Sequence, residues 1–160
     1  MPCISVSNDV LFKISWHAKS ARKSRIIGIL LGRLVDETLI VEDAISGKMK
    51  IGEVKVALHE EAIAKIADDI LNQRIGGSII GWYHSHPGYG VFMSEVDMNT
   101  QRTLTQFSPY ILAIVYDPST EEFGFFTFNS EKNSIERISD EFVQILVQGK
   151  SALLLNSFHK

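Results

Sequence analysis

The chain has 160 residues, 45% of them apolar and 22% charged, the balance of one ordinary globular domain, 1–160, long enough to bury a core. Its net charge of −3 leaves no basic face for nucleic acid or an anionic membrane, the run Lys19-Ser20-Ala21-Arg22-Lys23-Ser24-Arg25 reading as a solvated helix end, and its longest apolar run, 26–31, is too short to span a bilayer. Cys3 is the sole cysteine, which excludes an intrachain disulfide, and with no charged-then-apolar leader at the N-terminus the expected compartment is the reducing cytoplasm.

Ile4 and Val6 predict a short first strand. Ser7 or Asn8 then caps a helix in which Val10, Leu11, Ile14 and Ala18 recur at helical spacing, so that it packs on a sheet. Trp16 and His17 fall in this helix, and His17 reads as a surface or packing residue. Arg25-Ile26-Ile27-Gly28-Ile29-Leu30-Leu31-Gly32 is apolar, rich in β-branched residues and ended by glycine, which suits a central strand buried on both faces. Asp36-Glu37 marks a turn, and 38–44 forms the returning strand of a hairpin. The polar stretch 46–52, with Gly47 and Gly52, predicts a protruding loop before 53–58 rejoins the sheet. Ala62, Ile63, Ile66, Ala67, Ile70 and Leu71 define an amphipathic helix over 60–73. Glu60 and Glu61 lie in its first turn and Arg74 at its end, as the helix dipole favours. His59 is the lead-in to that helix.

The run Ser78-Ile79-Ile80-Gly81-Trp82-Tyr83 predicts a buried strand, which Pro87 and Gly88 end. Beyond it a helix is expected over 94–107, a strand over 110–116, a turn at Asp117-Pro118, a hairpin of 123–128 with 134–138, and a terminal helix over 140–147. The apolar stretch 151–155 docks either on the domain or on a partner. The pattern is α/β: a mixed, mostly antiparallel curved sheet flanked by helices, with its core at about 5–138 and a helical tail over 140–160.

Chemistry concentrates where the strand 78–83 ends. Residues two apart in a strand point the same way, so His84 and His86 present both imidazoles on one face. Asp97 follows on a segment that begins a helix at Ser94, and positions three apart share a helix face. Two imidazoles and a carboxylate suit a divalent transition metal, zinc above all, and leave a fourth tetrahedral position for water. A structural zinc site normally closes with a fourth side chain, usually cysteine, and Cys3 is remote. Each half of the pattern has a plainer reading: two half-buried histidines at a strand end, and Ser94-x-x-Asp97 as a helix capping box.

His84-Ser85-His86-Pro87 followed by Ser94-x-x-Asp97, with seven residues between His86 and Ser94, resembles the JAMM motif of the MPN+ zinc metalloproteases. Gly81-Trp82-Tyr83 and Val96-Asp97-Met98-Asn99-Thr100-Gln101 resemble most the proteasome-lid deubiquitinase branch and its archaeal relatives. The likeness covers roughly 5–130 and implies the MPN fold, akin to that of cytidine deaminases. It further implies a zinc isopeptidase, a deubiquitinase that cuts the amide between the C-terminus of ubiquitin or a ubiquitin-like protein and a lysine. In such an enzyme His84, His86 and Asp97 hold the metal, and Ser94 stabilises the oxyanion. The insertion near 46–52, here with Met49 and Ile51, contacts the substrate's C-terminal tail, and Tyr89 and Phe92 of the 88–92 loop line the tail groove. Trp82 and Tyr83 are wall and packing residues. The proteasome or a second MPN subunit are the partners that the resemblance raises.

The family's second motif is matched by 25–32, and its general-base Glu stands three residues before the motif's first glycine. Three residues before Gly28 stands Arg25. A guanidinium stays protonated and cannot accept a proton from water. Asp36, Glu37, Glu42 and Glu95 are the carboxylates nearest in sequence, and none falls at that position. Loss of a general acid/base commonly costs about a hundred- to ten-thousandfold in rate. The expectation is therefore a zinc-binding but impaired member, whether a natural silent form or an enzyme carrying an inactivating substitution. The rival is a binding or scaffold module for a ubiquitin-like protein or a partner MPN subunit, and a third reading is a small-molecule zinc amidase on the same fold. Retention of all three ligands speaks against a pure scaffold, and Arg25 speaks for silence.

Overall fold

The computed structural model describes residues 3–22, 24–46, 78–104, 110–129, 131–147 and 150–152. In chain order these form β1 (Cys3–Ser7), α1 (Asn8–Ser20), β2 (Ile27–Val35), β3 (Thr38–Ser46), β4 (Ser78–Ser85), α2 (Glu95–Leu104), β5 (Leu112–Asp117), β6 (Glu122–Asn129), β7 (Ser134–Arg137), β8 (Val143–Val147) and β9 (Lys150–Ala152). The described strands make one sheet in the order β7-β6-β5-β4-β2-β3-β1-β8-β9. The pairs β1·β3, β1·β8 and β4·β5 are parallel and the remaining pairs antiparallel, so the sheet is mixed and mostly antiparallel.

Period-two alternation along the central strands separates two cores. On one face Val10, Leu11, Ile14 and Ala18 of α1 pack with Ile4, Val6, Leu30, Leu39, Val41, Tyr83 and Ile114. On the other, Ile27, Ile29 and Leu31 of β2 join Trp82, Ala113 and Val115, with Leu104 of α2 closing over them. A strand covered on both faces has no room for polar residues, which is why β2 reads as a continuous apolar run. α1 starts where the Ser7 hydroxyl accepts the Val10 N–H at 3.1 Å, a serine N-cap of the kind the sequence suggests. The β2–β3 hairpin turns on Asp36 and Glu37, both at positive φ (48° and 66°), the two-residue turn whose twist matches paired strands. At Gly81 β4 runs so close to β5 that a Cβ would lie 2.0 Å from the Leu112 carbonyl oxygen.

The C-terminal region departs from expectation. No helix spans 140–147: a single 3-10 turn, Asp140–Phe142, leads into β8, which lies parallel to β1 with Ile4 opposite Val143 and Ser7 opposite Leu146. Lys150–Ala152 is likewise strand, so the helical tail expected over 140–160 is corrected there, and the core extends beyond 138 to buried Val143 and Ile145. The reason is that β1 has a second edge to satisfy, and Val143, Ile145 and Val147 offer alternating β-branched side chains to it. The helix expected over 94–107 is described from Glu95 to Leu104. The strand 53–58, the helix 60–73, His59, Met49 and Ile51 lie outside the described residues.

Candidate metal centre

β4 carries His84 near its end and His86 just past it, on the same face as Trp82. The Trp82 and His84 rings stack with centroids 4.4 Å apart, and the His84 and His86 rings meet edge to face at 4.9 Å. β4 is pinned here by β2 and β5: Ser85 N–H donates to the Ile26 carbonyl at 3.2 Å, the Ile26 N–H donates to Ser85 Oγ at 3.0 Å, and His86 N–H donates to the Tyr116 carbonyl at 3.0 Å. α2 brings the carboxylate. Ser94 and Asp97 cap it reciprocally, the Asp97 N–H donating to Ser94 Oγ at 3.2 Å and the Ser94 N–H to Asp97 Oδ2 at 2.9 Å. This capping box is the plainer reading of Ser94-x-x-Asp97, and it also aims the carboxylate at the histidines.

Asp97 Oδ2 lies 2.9 Å from His86 Nε2, in a hydrogen bond, and 3.0 Å from His84 Nε2. One ligand atom from each of His84, His86 and Asp97 falls within 4.8 Å of the others, and all three residues are buried. His84 Nε2, despite its proximity to the carboxylate, lacks hydrogen-bond alignment, and both His84 nitrogens and His86 Nδ1 are buried without a hydrogen-bond partner. Each such orphan costs about 1–3 kcal/mol, so the cluster is incomplete as a purely protein arrangement. A divalent cation fits: two imidazole nitrogens and a carboxylate oxygen are a zinc donor set, with a coordination position to spare.

The electrostatics suit metal binding. Burial lowers the His84 pKa, and the guanidinium of Arg25 adds to this, outweighing the opposite pull of Asp97, so the imidazole is held neutral, its ligating form. For Asp97 burial alone would raise the carboxyl's pKa. The close approach of the His84 and His86 Nε2 atoms, 3.0 and 2.9 Å from Oδ2, with the Ser94 N–H, outweighs it and holds the group far below the usual carboxylate range.

Other expected site residues fall around this cluster. Tyr89 stands out at the tip of the following loop, 72% exposed, and Phe92 is partly exposed with its ring 4.5 Å from that of His86. Arg25 is half-buried just before β2, near enough for its charge to act on His84. None of the alternative carboxylates belongs to the cluster. Asp36 and Glu37 form the exposed hairpin at the other end of β2, roughly 25–30 Å away at strand rise. Glu42 is exposed and paired with Arg33 at 3.0 Å, and Glu95 is exposed in the first turn of α2. His17, as expected, takes no part: its Nδ1 lies 2.8 Å from the Tyr83 hydroxyl on the opposite face of the sheet.

Two supports were not legible beforehand. Gln101, one turn after Asp97 on α2, accepts the Trp82 indole N–H at 2.6 Å and donates to the Ile111 carbonyl at 2.8 Å, tying α2 to the histidine-bearing face. Asp117, nearly fully buried, accepts the N–H groups of Gly88 (3.0 Å), Gly90 (2.9 Å) and Ser119 (2.8 Å) and so clamps the loop after His86. Burial raises the Asp117 carboxyl's pKa, but these N–H donors outweigh it and keep the group ionised. Gly88 and Gly90, at φ 81° and 83°, are the available signal, since consecutive glycine turns leave backbone donors in need of an acceptor.

A mixed sheet presenting a His-x-His pair to a helix-borne aspartate defines a domain with a buried three-residue cluster that could hold a metal ion. A family model described as the JAB1/Mov34/MPN/PAD-1 ubiquitin protease matches residues 1–110, and the chain belongs to that family, with its MPN fold. It is 33% identical over 119 residues to COP9 signalosome complex subunit 5b of Arabidopsis thaliana, covering 72% of this chain and 33% of that protein. To 26S proteasome regulatory subunit rpn11 of Schizosaccharomyces pombe it is 34% identical over 118 residues, covering 72% and 38%. The chain thus spans about a third of the length of these relatives. A solution structure from Desulfitobacterium hafniense shares the fold, with a TM-score of 0.61 at 16% identity over 92% of this chain and 94% of that one.

Proposed function

We propose that this chain is a zinc-dependent isopeptidase domain of the deubiquitinase type, acting on the amide between the C-terminus of ubiquitin or a ubiquitin-like protein and a lysine, with turnover impaired by Arg25. The observation that carries this reading is the buried meeting of His84, His86 and Asp97 around ring nitrogens that have no protein partner. These three residues would hold zinc, which when bound supplies a Lewis acid able to polarise a carbonyl and acidify a water.

The chain's own groups have separable tasks. The Ser94 backbone N–H orients Asp97, while Ser94 Oγ, already accepting the Asp97 N–H, keeps its own hydrogen to donate toward an oxygen that gains charge. Trp82 stacks on His84 and fixes the plane of its ring. Tyr89 and Phe92 stand on the loop beyond His86, where an extended tail can lie across them. Met49 and Ile51 are assigned to the same tail by the family pattern. Proton transfer is the missing function, because Arg25 remains a cation, Asp36 and Glu37 lie at the far end of β2, Glu42 is paired with Arg33, and Glu95 is exposed.

A second reading is favoured by the same Arg25: a catalytically silent module that docks a ubiquitin-like protein or a partner MPN subunit. The named relatives are subunits of larger complexes, which supports assembly with a second subunit as part of the proposal. The test is cleavage of isopeptide-linked ubiquitin with zinc present, comparing the chain with Arg25→Glu, alongside the zinc content of both. Stoichiometric zinc with cleavage by the Glu variant alone is the expected result. No zinc, and no cleavage by either, would overturn the enzyme reading.

A further inference from the structure

Arg25 is delivered to the candidate metal centre by the sheet itself. The two hydrogen bonds between Ile26 and Ser85, and the pairing of Ile27 with His84, set Arg25 one step further on, level with His86. Side chains alternate along a strand. Ile27, Ile29 and Leu31 share a core with Trp82, whereas Ile26 and Leu30 pack with Tyr83 on the other face. Arg25 therefore belongs to the face of Trp82, His84 and His86, and its charge is felt at His84. Among the described residues no carboxylate is paired with it: Glu42 is taken by Arg33, Asp43 by Lys13, Glu121 by Lys19 and Glu122 by Arg137, while Asp97 is engaged by both histidines.

A carboxylate at this position would accept a proton; a guanidinium only donates, through a planar fork of N–H groups that matches a carboxylate in a bidentate pair. Beside a dication held by three protein ligands it adds a second positive charge at the cleft, which favours an anionic ligand over a neutral amide. We propose that Arg25 makes this cleft a receptor for a free C-terminal carboxylate, so that the chain takes a ubiquitin-like tail after release in preference to the same tail joined to lysine. The inference rests on the reading of the site as one that receives ubiquitin-like tails, and it replaces bond cleavage with carboxylate capture as this chain's work there. Arg25 donates to the terminal carboxylate while the loop bearing Tyr89 and Phe92 lies beside the extended residues that precede it.

The experiment is calorimetric titration of the zinc-loaded chain with two probes, ubiquitin bearing its native free C-terminus and ubiquitin ending in a C-terminal amide. The free acid is expected to bind roughly ten- to a hundredfold more tightly, the range of a charge-assisted bidentate contact. Arg25→Gln should lose that factor for the acid and less than about twofold for the amide, with zinc content unchanged, and Arg25→Lys should retain part of it. Equal affinity for the two probes, an acid preference that Arg25→Gln leaves intact, or binding of neither probe overturns the inference. Where the titrations fail, the isopeptide assay with Arg25→Glu separates the two levels: cleavage by that variant keeps the tail-binding site and removes only carboxylate capture, and absence of cleavage as well removes both.

Discussion

His84 and Asp97 are buried against each other, and protons separate their native from their unfolded forms in the same direction. His84 has a native pKa below its ordinary 6.5, so below that pH the unfolded chain binds a proton that the folded chain refuses, and stability falls as the pH drops. Asp97 has a native pKa below its ordinary 3.8, so its contribution is full above that value and is lost as the pH falls through the acid range towards the native pKa. The half-buried His17, also lowered by burial, acts in the same sense as His84. Thermal melts of the metal-free chain should therefore show Tm declining from about pH 6.5 downward, and His84→Gln should flatten the upper part of that decline. A Tm independent of pH between about 7 and 5 would contradict the burial assigned to both histidines. With metal present, Asp97→Asn keeps the shape but removes the charge and one ligating oxygen. Its zinc affinity should fall by more than the roughly ten- to hundredfold that loss of an outer partner costs, read by competition with a chromogenic chelator.

Asp117 acts on a whole loop. Its carboxylate gathers three backbone N–H groups from Gly88, Gly90 and Ser119, and Asp117→Asn would turn an amide NH2 towards donors. Urea denaturation should register a loss of about 2–4 kcal/mol, as for a buried charged acceptor. Because the loop starts at His86, zinc affinity should weaken as well; unchanged affinity with lost stability would confine Asp117 to a structural role. Gln101→Leu removes the acceptor of the Trp82 N–H and the donor to the Ile111 carbonyl, for an expected loss of about 1–3 kcal/mol in the same measurement. Elements whose side chains follow one period were readable from sequence, α1 through Val10, Leu11, Ile14 and Ala18 and β2 through its apolar run. The meeting of His84, His86 and Asp97 was readable too, because the three lie close in the chain. The clamp was not, since Asp117 meets glycines 27 and 29 residues away, and only the fold makes them neighbours. The stretch 143–147 misleads for a different reason: Val143, Leu146 and Val147 fit a helix face as well as Val143, Ile145 and Val147 fit a strand, and five residues do not separate the two periods.

At the scale of the molecule, that stretch decides how the sheet ends. β1 lies between two parallel partners, β3 and β8, and parallel strands cannot be joined by a tight turn, so β8 comes from far along the chain to cover the edge. Val143 and Ile145 are buried against the α1 face, at about 1.5–3 kcal/mol each, a sizeable share of the roughly 5–15 kcal/mol that holds a domain together. A chain truncated after Ile138 exposes their partners and bares the β1 edge, with its unpaired backbone groups. Its urea midpoint should drop steeply, and it should associate at concentrations where the full chain does not. The candidate metal centre lies at the end of β4, with β2, β3 and β1 between it and β8. Whatever fraction of the truncated chain remains folded should thus bind zinc with unaltered affinity, as measured at low urea. Lowered affinity in that folded fraction would mean that the sheet transmits strain from its edge to the histidines; an unmoved midpoint would mean that β8 contributes little to the core.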